Sequence, residues 1–312
     1  MLAFITPLPH PHNCDSYARI SRLLRRTVDS IRGQDSEKFV LIVVGNRRPE
    51  GLPDDQRFEW LGVDLPPASS RPGRVLPEDT VRVFADKSAK LAAGLLAARQ
   101  YSPTHVMFCD CDDLVHRGLA SFSEKHAGEP GWYVDAGYVY WEGSGRLAPV
   151  RKFHLICGTS FVIAWHLLGV PGDVGPHDDA AEIRQAWDKK LFTGVLGRHQ
   201  TKLGYFRGRG VEMAPLPFPG AIWVRGTGEN VSRFGGFASI TGKLVDGAIR
   251  RDFSFEAPVV SRWRDAARAV PQTISGIAPL IQKFGAAWFL RHYVLAMPRR
   301  VVDTIRGKPW GS

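Results

Sequence analysis

The run Phe39-Val40-Leu41-Ile42-Val43-Val44 is apolar at every position, and four of its six residues are β-branched. A strand with one wet face alternates; a strand with no polar position must be covered on both faces. Just before it, Tyr17, Ile20, Leu24, Val28 and Ile31 recur at three- and four-residue intervals. Asn13, Asp15 and Ser16 are cap candidates for that helix, and Gly33 stands where it would end. Ala3 to Thr6, closed by Pro7, reads as a first strand, Phe58 to Val63 as a third, and His105 to Cys109 as a fourth. Asp86 can cap a helix running through Ala89, Ala92, Ala93 and Leu96. The order β-α-β-β-α-β predicts an α/β chain with a mostly parallel sheet flanked by helices. Ligands of such sheets bind outside the carboxyl ends of the strands. Thr6-Pro7, Gly45-Asn46 and Asp110 all fall there.

The middle third changes character. Trp132 to Trp141 and Cys157 to Trp165 read as strands, separated by a Gly143–Gly145 break. His177 to Lys190 reads as a helix capped by Asp178 or Asp179, and Gly204 to Asn230 as long, functional loops rich in Gly and Pro.

Charge separates a body from a tail. The net charge is +10, and residues 247–312 hold eleven Lys/Arg against four Asp/Glu. This predicts a catalytic domain over 1–245 and a basic helical extension over 246–312. In the tail Ile277, Leu280, Ile281, Phe284, Trp288 and Leu295 share one helical face, and Arg299, Arg300, Arg306 and Lys308 follow. Such a segment suits either an anionic membrane interface or packing on the domain. No run of 18 uninterrupted apolar residues and no basic secretory leader is present, so neither a membrane span nor export is expected. Cys14, Cys109, Cys111 and Cys157 form no CxxC pair, which argues against a disulfide framework or zinc and fits a reduced, cytoplasmic setting. The sequon Asn230-Val231-Ser232 reads as coincidence.

The sharpest chemical feature is Asp110-x-Asp112-Asp113, placed directly after a strand. Closely spaced carboxylates supply hard oxygen ligands for Mn²⁺ or Mg²⁺, which would neutralise a departing nucleoside diphosphate. The plain alternative is an acidic turn whose last member caps the next helix. Lys87 and Lys90, at helical spacing near the same cleft, are candidates to contact phosphate.

Several segments together resemble a GT-A-fold, Rossmann-like glycosyltransferase of the glycosyltransferase family 2 type. The helix Leu23 to Gln34 is similar to that family's L-x-x-T-L-x-S-I-x-x-Q pattern. Asp86 to Leu96 followed by His105 to Leu114 resembles its helix and "DxDD" strand. Gly158-Thr159-Ser160-Phe161 resembles an acceptor-side segment, and His177-Asp178-Asp179 stands where the family carries an acidic pair with its general base. The resemblance spans roughly residues 3 to 240. It implies transfer from a nucleotide-sugar donor to a glycan or lipid-linked acceptor, with inversion. It implies Asp179 as base, with Asp178 and His177 as alternatives, and a donor site at Thr6, Pro7, Gly45, Asn46, Lys87, Lys90 and Asp110. It also implies metal at Asp110, Asp112 and Asp113, and acceptor contacts at Gly158, Thr159 and Ser160.

Two departures stand out. Gly45-Asn46 replaces the aspartate that reads the base, and no late histidine completes the metal site, where Arg225 or Glu229 stands instead. The enzyme would work in the cytoplasm or at the inner face of the cell membrane. A nucleotidyltransferase would want a glycine-rich phosphate loop where Pro7-Leu8-Pro9-His10 stands. A non-catalytic polyanion-binding protein would carry its charge throughout, rather than in one tail; no nucleic-acid partner is expected.

Overall fold

The computed structural model describes residues 1–73, 75–230 and 242–256. The amphipathic segment 274–308 and most of the expected extension lie outside the described residues.

The order of elements is β1 (Leu2–Pro7), α1 (Tyr17–Arg32), β2 (Phe39–Gly45), β3 (Phe58–Gly62), α2 (Thr80–Ala98) and β4 (His105–Phe108). Then come β5 (Leu114–Val115), α3 (Leu119–Lys125), β6 (Gly131–Tyr133), β7 (Ala136–Trp141), β8 (Arg146–Arg151) and β9 (Phe161–Ala164). After these follow α4 (Ala180–Ala186), α5 (Lys189–Leu191) running into a π-helical turn (Phe192–Leu196), and α6 (Lys202–Arg207). The described chain closes with β10 (Ala214–Pro215), β11 (Ala221–Arg225), β12 (Lys243–Leu244) and α7 (Gly247–Phe253).

The main sheet has the order β10-β6-β9-β4-β1-β2-β3. Strands β4, β1, β2 and β3 are parallel, and β9 runs antiparallel between β4 and β6. The mixed, mostly parallel sheet expected from the sequence is present. Alternation along its strands builds two cores. Leu2, Phe4, Leu41 and Val43 meet Ile20, Leu24, Val28 and Ile31 of α1 on one face. Ala3, Ile5, Val40, Ile42 and Val44 meet Leu91, Leu95 and Leu96 of α2 on the other. A second sheet, β12-β8-β7-β11-β5, starts directly after the acidic turn. Ile249, Phe253 and Phe255 pack into its core with Tyr140 and Leu147, so the chain just past residue 245 is still part of the body.

α2 approaches the sheet through Gly94, where a Cβ would lie 2.5 Å from Ile5 Cγ2 and 3.0 Å from Val44 Cγ2. Alanine would favour the helix by about 1 kcal/mol, but overpacking such a contact costs ~1–3 kcal/mol. Gly94→Ala should therefore lose about 1 kcal/mol in a urea titration. A more stable variant would show that α2 can lift off the sheet freely.

Four local expectations are corrected. Asp86 lies inside α2, which begins at Thr80, and pairs with Lys90 rather than capping. Trp132–Trp141 divides into β6 and β7, which belong to different sheets. The helix expected over 177–190 stops at Ala186, because Trp187 is extended (φ −95°, ψ 146°) and Asp188 starts a new turn. Gly204–Asn230 is less of a loop than its composition suggests, since β10, β11 and part of α6 lie in it.

Candidate active site

Asp110 follows β4 at the carboxyl end of the parallel strands, next to the end of β1. Its backbone N–H donates to Thr159 Oγ1 at 2.9 Å, which ties the acidic turn to the segment entering β9. Its carboxylate is paired with the Lys87 ammonium. Gly158 permits this pair: a Cβ there would come within 2.5 Å of Asp110 Oδ2 and 2.9 Å of Lys87 Nζ. Burial works against ionisation of Asp110, yet Lys87, helped by His199 and Lys202, holds its carboxyl below the ordinary value.

The three aspartates have different jobs. Asp113 is 1% exposed. It accepts from Thr159 Oγ1 (2.6 Å), Cys157 Sγ (3.1 Å) and the N–H of Val224 (3.2 Å), so it welds β4, β9 and β11 together. All its donors are internal, and the structure sets it apart from the two half-buried aspartates of the turn. Asp112 is half-buried; burial and the neighbouring Asp110 push its carboxyl up to about 7, with Arg225 acting in the opposite sense. Asn230 Nδ2 donates to it at 2.7 Å.

Polar residues in α1 and just after it hold the chain that follows this turn. Ser30 Oγ accepts from the N–H of Val115 at 3.2 Å, while Gln34 bonds both the carbonyl of His116 (3.0 Å) and the N–H of Ala120 (2.8 Å). The Ser and Gln of the helix pattern thus act on the chain that follows the aspartates.

Two groups absent from the sequence-based expectation complete the cluster. Lys202 of α6 is 2% exposed, with Nζ 4.6 Å from the Phe108 ring centroid. Burial and Lys87 push its ammonium down to about 7, against the pull of Asp110. His199 is pushed down to about 4 by burial and Lys87. Its Nε2 is buried with no hydrogen-bond partner among the described residues.

Thr6 stands one residue before the end of β1, and Asn46 directly after β2. Asn46 Nδ2 donates to the carbonyl of Leu65 at 2.7 Å, whereas its Oδ1 and the Thr6 hydroxyl are buried and unpartnered among the described residues. Such orphans call for a partner. Pro7 pairs with Val44 in the sheet, and Gly45 leaves room for Leu8 and Trp60. Lys90 is fully buried and paired with Asp86 at 2.7 Å, so Lys87 is the lysine of α2 that reaches the aspartates.

Other expected residues fall elsewhere. Thr159 and Ser160 are fully buried, and Ser160 Oγ donates to the carbonyl of Cys157 at 2.6 Å; they support the acidic turn rather than face an acceptor. His177, Asp178 and Asp179 are exposed. Asp178 accepts from the N–H of Gly175 (2.8 Å), and Asp179 caps α4 through the N–H of Ala181 (2.7 Å). Their segment is tied through the carbonyls of Pro171 and Val174 to Arg99, at the far end of α2. Arg99 is twelve residues beyond Lys87, about 18 Å along a helix. Among the described residues no hydrogen bond or ion pair joins this trio to the aspartates. Glu229 is also committed elsewhere, to the start of α1. The four cysteines are buried and free. No helix among the described residues is long and apolar enough to cross a membrane.

No family model and no curated protein matches the chain. Among solved structures it is similar to Staphylococcus aureus TarS at 12% identity and a TM-score of 0.37, covering 96% of this chain and 50% of that one. The chain thus spans half the length of that relative. TarS 1–349 matches at 12% identity and a TM-score of 0.34, covering 99% of this chain and 93% of that one. A Desulfovibrio desulfuricans G20 protein, provisionally described as a nucleotide-diphospho-sugar transferase, matches at 10% identity and a TM-score of 0.37, covering 88% and 97%.

Proposed function

We propose that the protein transfers a sugar from a nucleotide-sugar donor to a hydroxyl of a glycan or lipid-linked acceptor. The observation that carries this reading is the cluster at the end of β4: Asp110 and Asp112 beside the half-buried Lys87 and the buried Lys202. Burying Lys202 near an aspartate already ion-paired to Lys87 is costly unless further negative charge arrives. A diphosphate supplies it, and would draw the Lys202 ammonium back towards its charged form.

A divalent cation fits the same place. Asp112, its carboxyl raised by burial and then by its neighbour Asp110, is a hard oxygen donor beside a like charge, which a cation between them would relieve. Asp113 is excluded by its internal bonds, and no cluster of three metal-ligating side chains occurs among the described residues. Asp110 and Asp112 would therefore hold Mg²⁺ or Mn²⁺ together with diphosphate oxygens and water, a common arrangement for Mg²⁺. The cation would stabilise charge on the departing diphosphate.

The chain's own groups divide the rest. Lys87 and Lys202 bind and orient the diphosphate. Asn46 Oδ1, its amide oriented by Leu65, accepts from an N–H on the base edge. His199, neutral at pH 7, takes the proton of the attacking hydroxyl at Nε2, in a single displacement that inverts the anomeric carbon. Thermal stabilisation by UDP-, GDP-, CMP- and dTDP-sugars, with and without Mn²⁺, tests the reading, because a ligand that binds the native state raises Tm by mass action. Stabilisation by at least one donor is expected, enhanced by Mn²⁺. No response to any of them would reject it.

A further inference from the structure

The turn after β11 holds Asp112 from behind. Besides donating to Asp112, Asn230 Nδ2 donates to the carbonyl of Val224 at 3.0 Å. Asn230 Oδ1 accepts from the N–H and the hydroxyl of Thr227 at 3.2 and 3.1 Å. Both ends of the amide are therefore assigned by their partners, and a flip would face donors with donors. The adjacent Glu229 side chain is only 3% exposed. Its carboxylate accepts from the N–H groups of Asp15 (3.0 Å) and Ser16 (2.9 Å) and from Arg19 Nη1 (3.1 Å). It thereby meets donors at the positive end of α1.

The backbone between these residues is built for the purpose. Gly226 (φ +73°) and Gly228 (φ +84°) are left-handed. A Cβ on Gly226 would lie 2.5 Å from the Trp141 ring, and one on Gly228 2.8 Å from Arg19 Nη1. The far end of the clamp reaches the donor side. Asn13, three residues before the α1 cap, bonds the carbonyl and the N–H of Ser69 at 2.8 and 3.1 Å. A continuous polar path therefore runs from Asp112 through Asn230 and Glu229 to the loops flanking the end of β1.

We propose that Asn230 is a positioning residue that fixes the Asp112 carboxylate for a divalent cation, with Glu229 anchoring it to α1. The inference rests on Asp112 being a cation ligand, as given under the proposed function. Asp110 repels the Asp112 carboxylate, and besides the backbone N–H of Asp112 itself the Asn230 amide is the neutral side-chain donor bonded to that carboxylate among the described residues. Without it the carboxylate would swing away from Asp110, and the two oxygen donors would no longer converge.

The test is Mn²⁺ binding, followed by electron paramagnetic resonance on the full chain with the metal alone. Asn230→Ala should raise the Mn²⁺ dissociation constant ~10–100-fold, the usual effect of removing a partner behind a metal ligand. Thr227→Val keeps the side chain's shape while removing the hydroxyl's bond to Asn230 and its acceptance from the N–H of Glu229. It should raise the constant severalfold with Tm near that of the parent, and it carries the test if Asn230→Ala folds poorly. Asp112→Asn should abolish binding. Parent-like Mn²⁺ affinity in Thr227→Val and in folded Asn230→Ala, with binding lost in Asp112→Asn, would overturn the positioning role alone. Mn²⁺ binding that Asp112→Asn leaves unchanged, or none in the parent, would overturn the cation reading itself.

Discussion

Asp112→Asn is expected to abolish cation-stimulated sugar transfer while the protein stays folded. The substitution keeps the side chain's shape, and its amide oxygen can still accept from Asn230 Nδ2, so the turn retains its bond. What is lost is one of two charges facing the cleft. Stabilising a departing diphosphate by a cation is worth several kcal/mol, so a loss on the order of 10³-fold in kcat/KM is expected. Stability should change in a defined direction. Burial and Asp110 raise the Asp112 carboxyl in the folded state to about 7, above its unfolded value. Between that unfolded value and about 7, the native state holds a proton that the unfolded chain has released. Stability from this group is thus present at low pH and lost as pH rises towards 7. The Asn variant should show a shallower loss of stability over that window. Mn²⁺-stimulated transfer at the parent's rate would remove Asp112 from the mechanism.

His199→Asn is expected to lower kcat for transfer by ~10²–10⁴-fold, the usual contribution of a positioned base. Donor KM should change little, because the proposed diphosphate contacts are Lys87 and Lys202. His199 Nε2 is buried without a partner among the described residues, beside Asp110 and Lys202, and burial and Lys87 keep the ring neutral at pH 7 with its lone pair free. Asp179→Asn makes the contrast. Asp179 caps α4, a task asparagine performs equally well, and its segment is tied to the far end of α2. That variant should transfer at nearly the parent rate. Loss of transfer in Asp179→Asn with activity intact in His199→Asn would reverse the assignment and require α4 to move towards the cleft on acceptor binding.

The contrast between these residues shows what a sequence can convey. Phe39–Val44 forms β2 because a run without polar positions has few places to go, and the spacing of Ile20, Leu24, Val28 and Ile31 forms α1 for an equally local reason. The position of Asp110 at a strand end follows from the apolar run before it. His199 and Lys202 left no such trace. α6 has six residues with Gly204 in its middle, too short for a helical period, and its partners Lys87 and Asp110 lie about a hundred residues earlier in the chain. Asp178-Asp179 looked catalytic because aspartate before a helix is equally what an N-cap requires. Asp113 looked like its neighbours because a buried weld and a half-buried carboxylate of the same turn are the same residue type. Only the donors around it, from β11 and the segment entering β9, tell them apart. The pairing of Asn230 with Asp112, 118 positions apart, is likewise a property of the folded chain.

The central claim is that the cluster at the end of β4 releases a nucleoside diphosphate from a sugar donor. Phosphorus-31 NMR of the purified protein, incubated with Mg²⁺ and the donor that stabilises it most, with and without a saccharide acceptor, follows that bond directly. Magnesium is used because Mn²⁺ would broaden the signals. The account predicts accumulation of nucleoside diphosphate, faster with acceptor and absent in Asp112→Asn. Release of nucleoside monophosphate with sugar phosphate would place the cleavage at a different bond and contradict it.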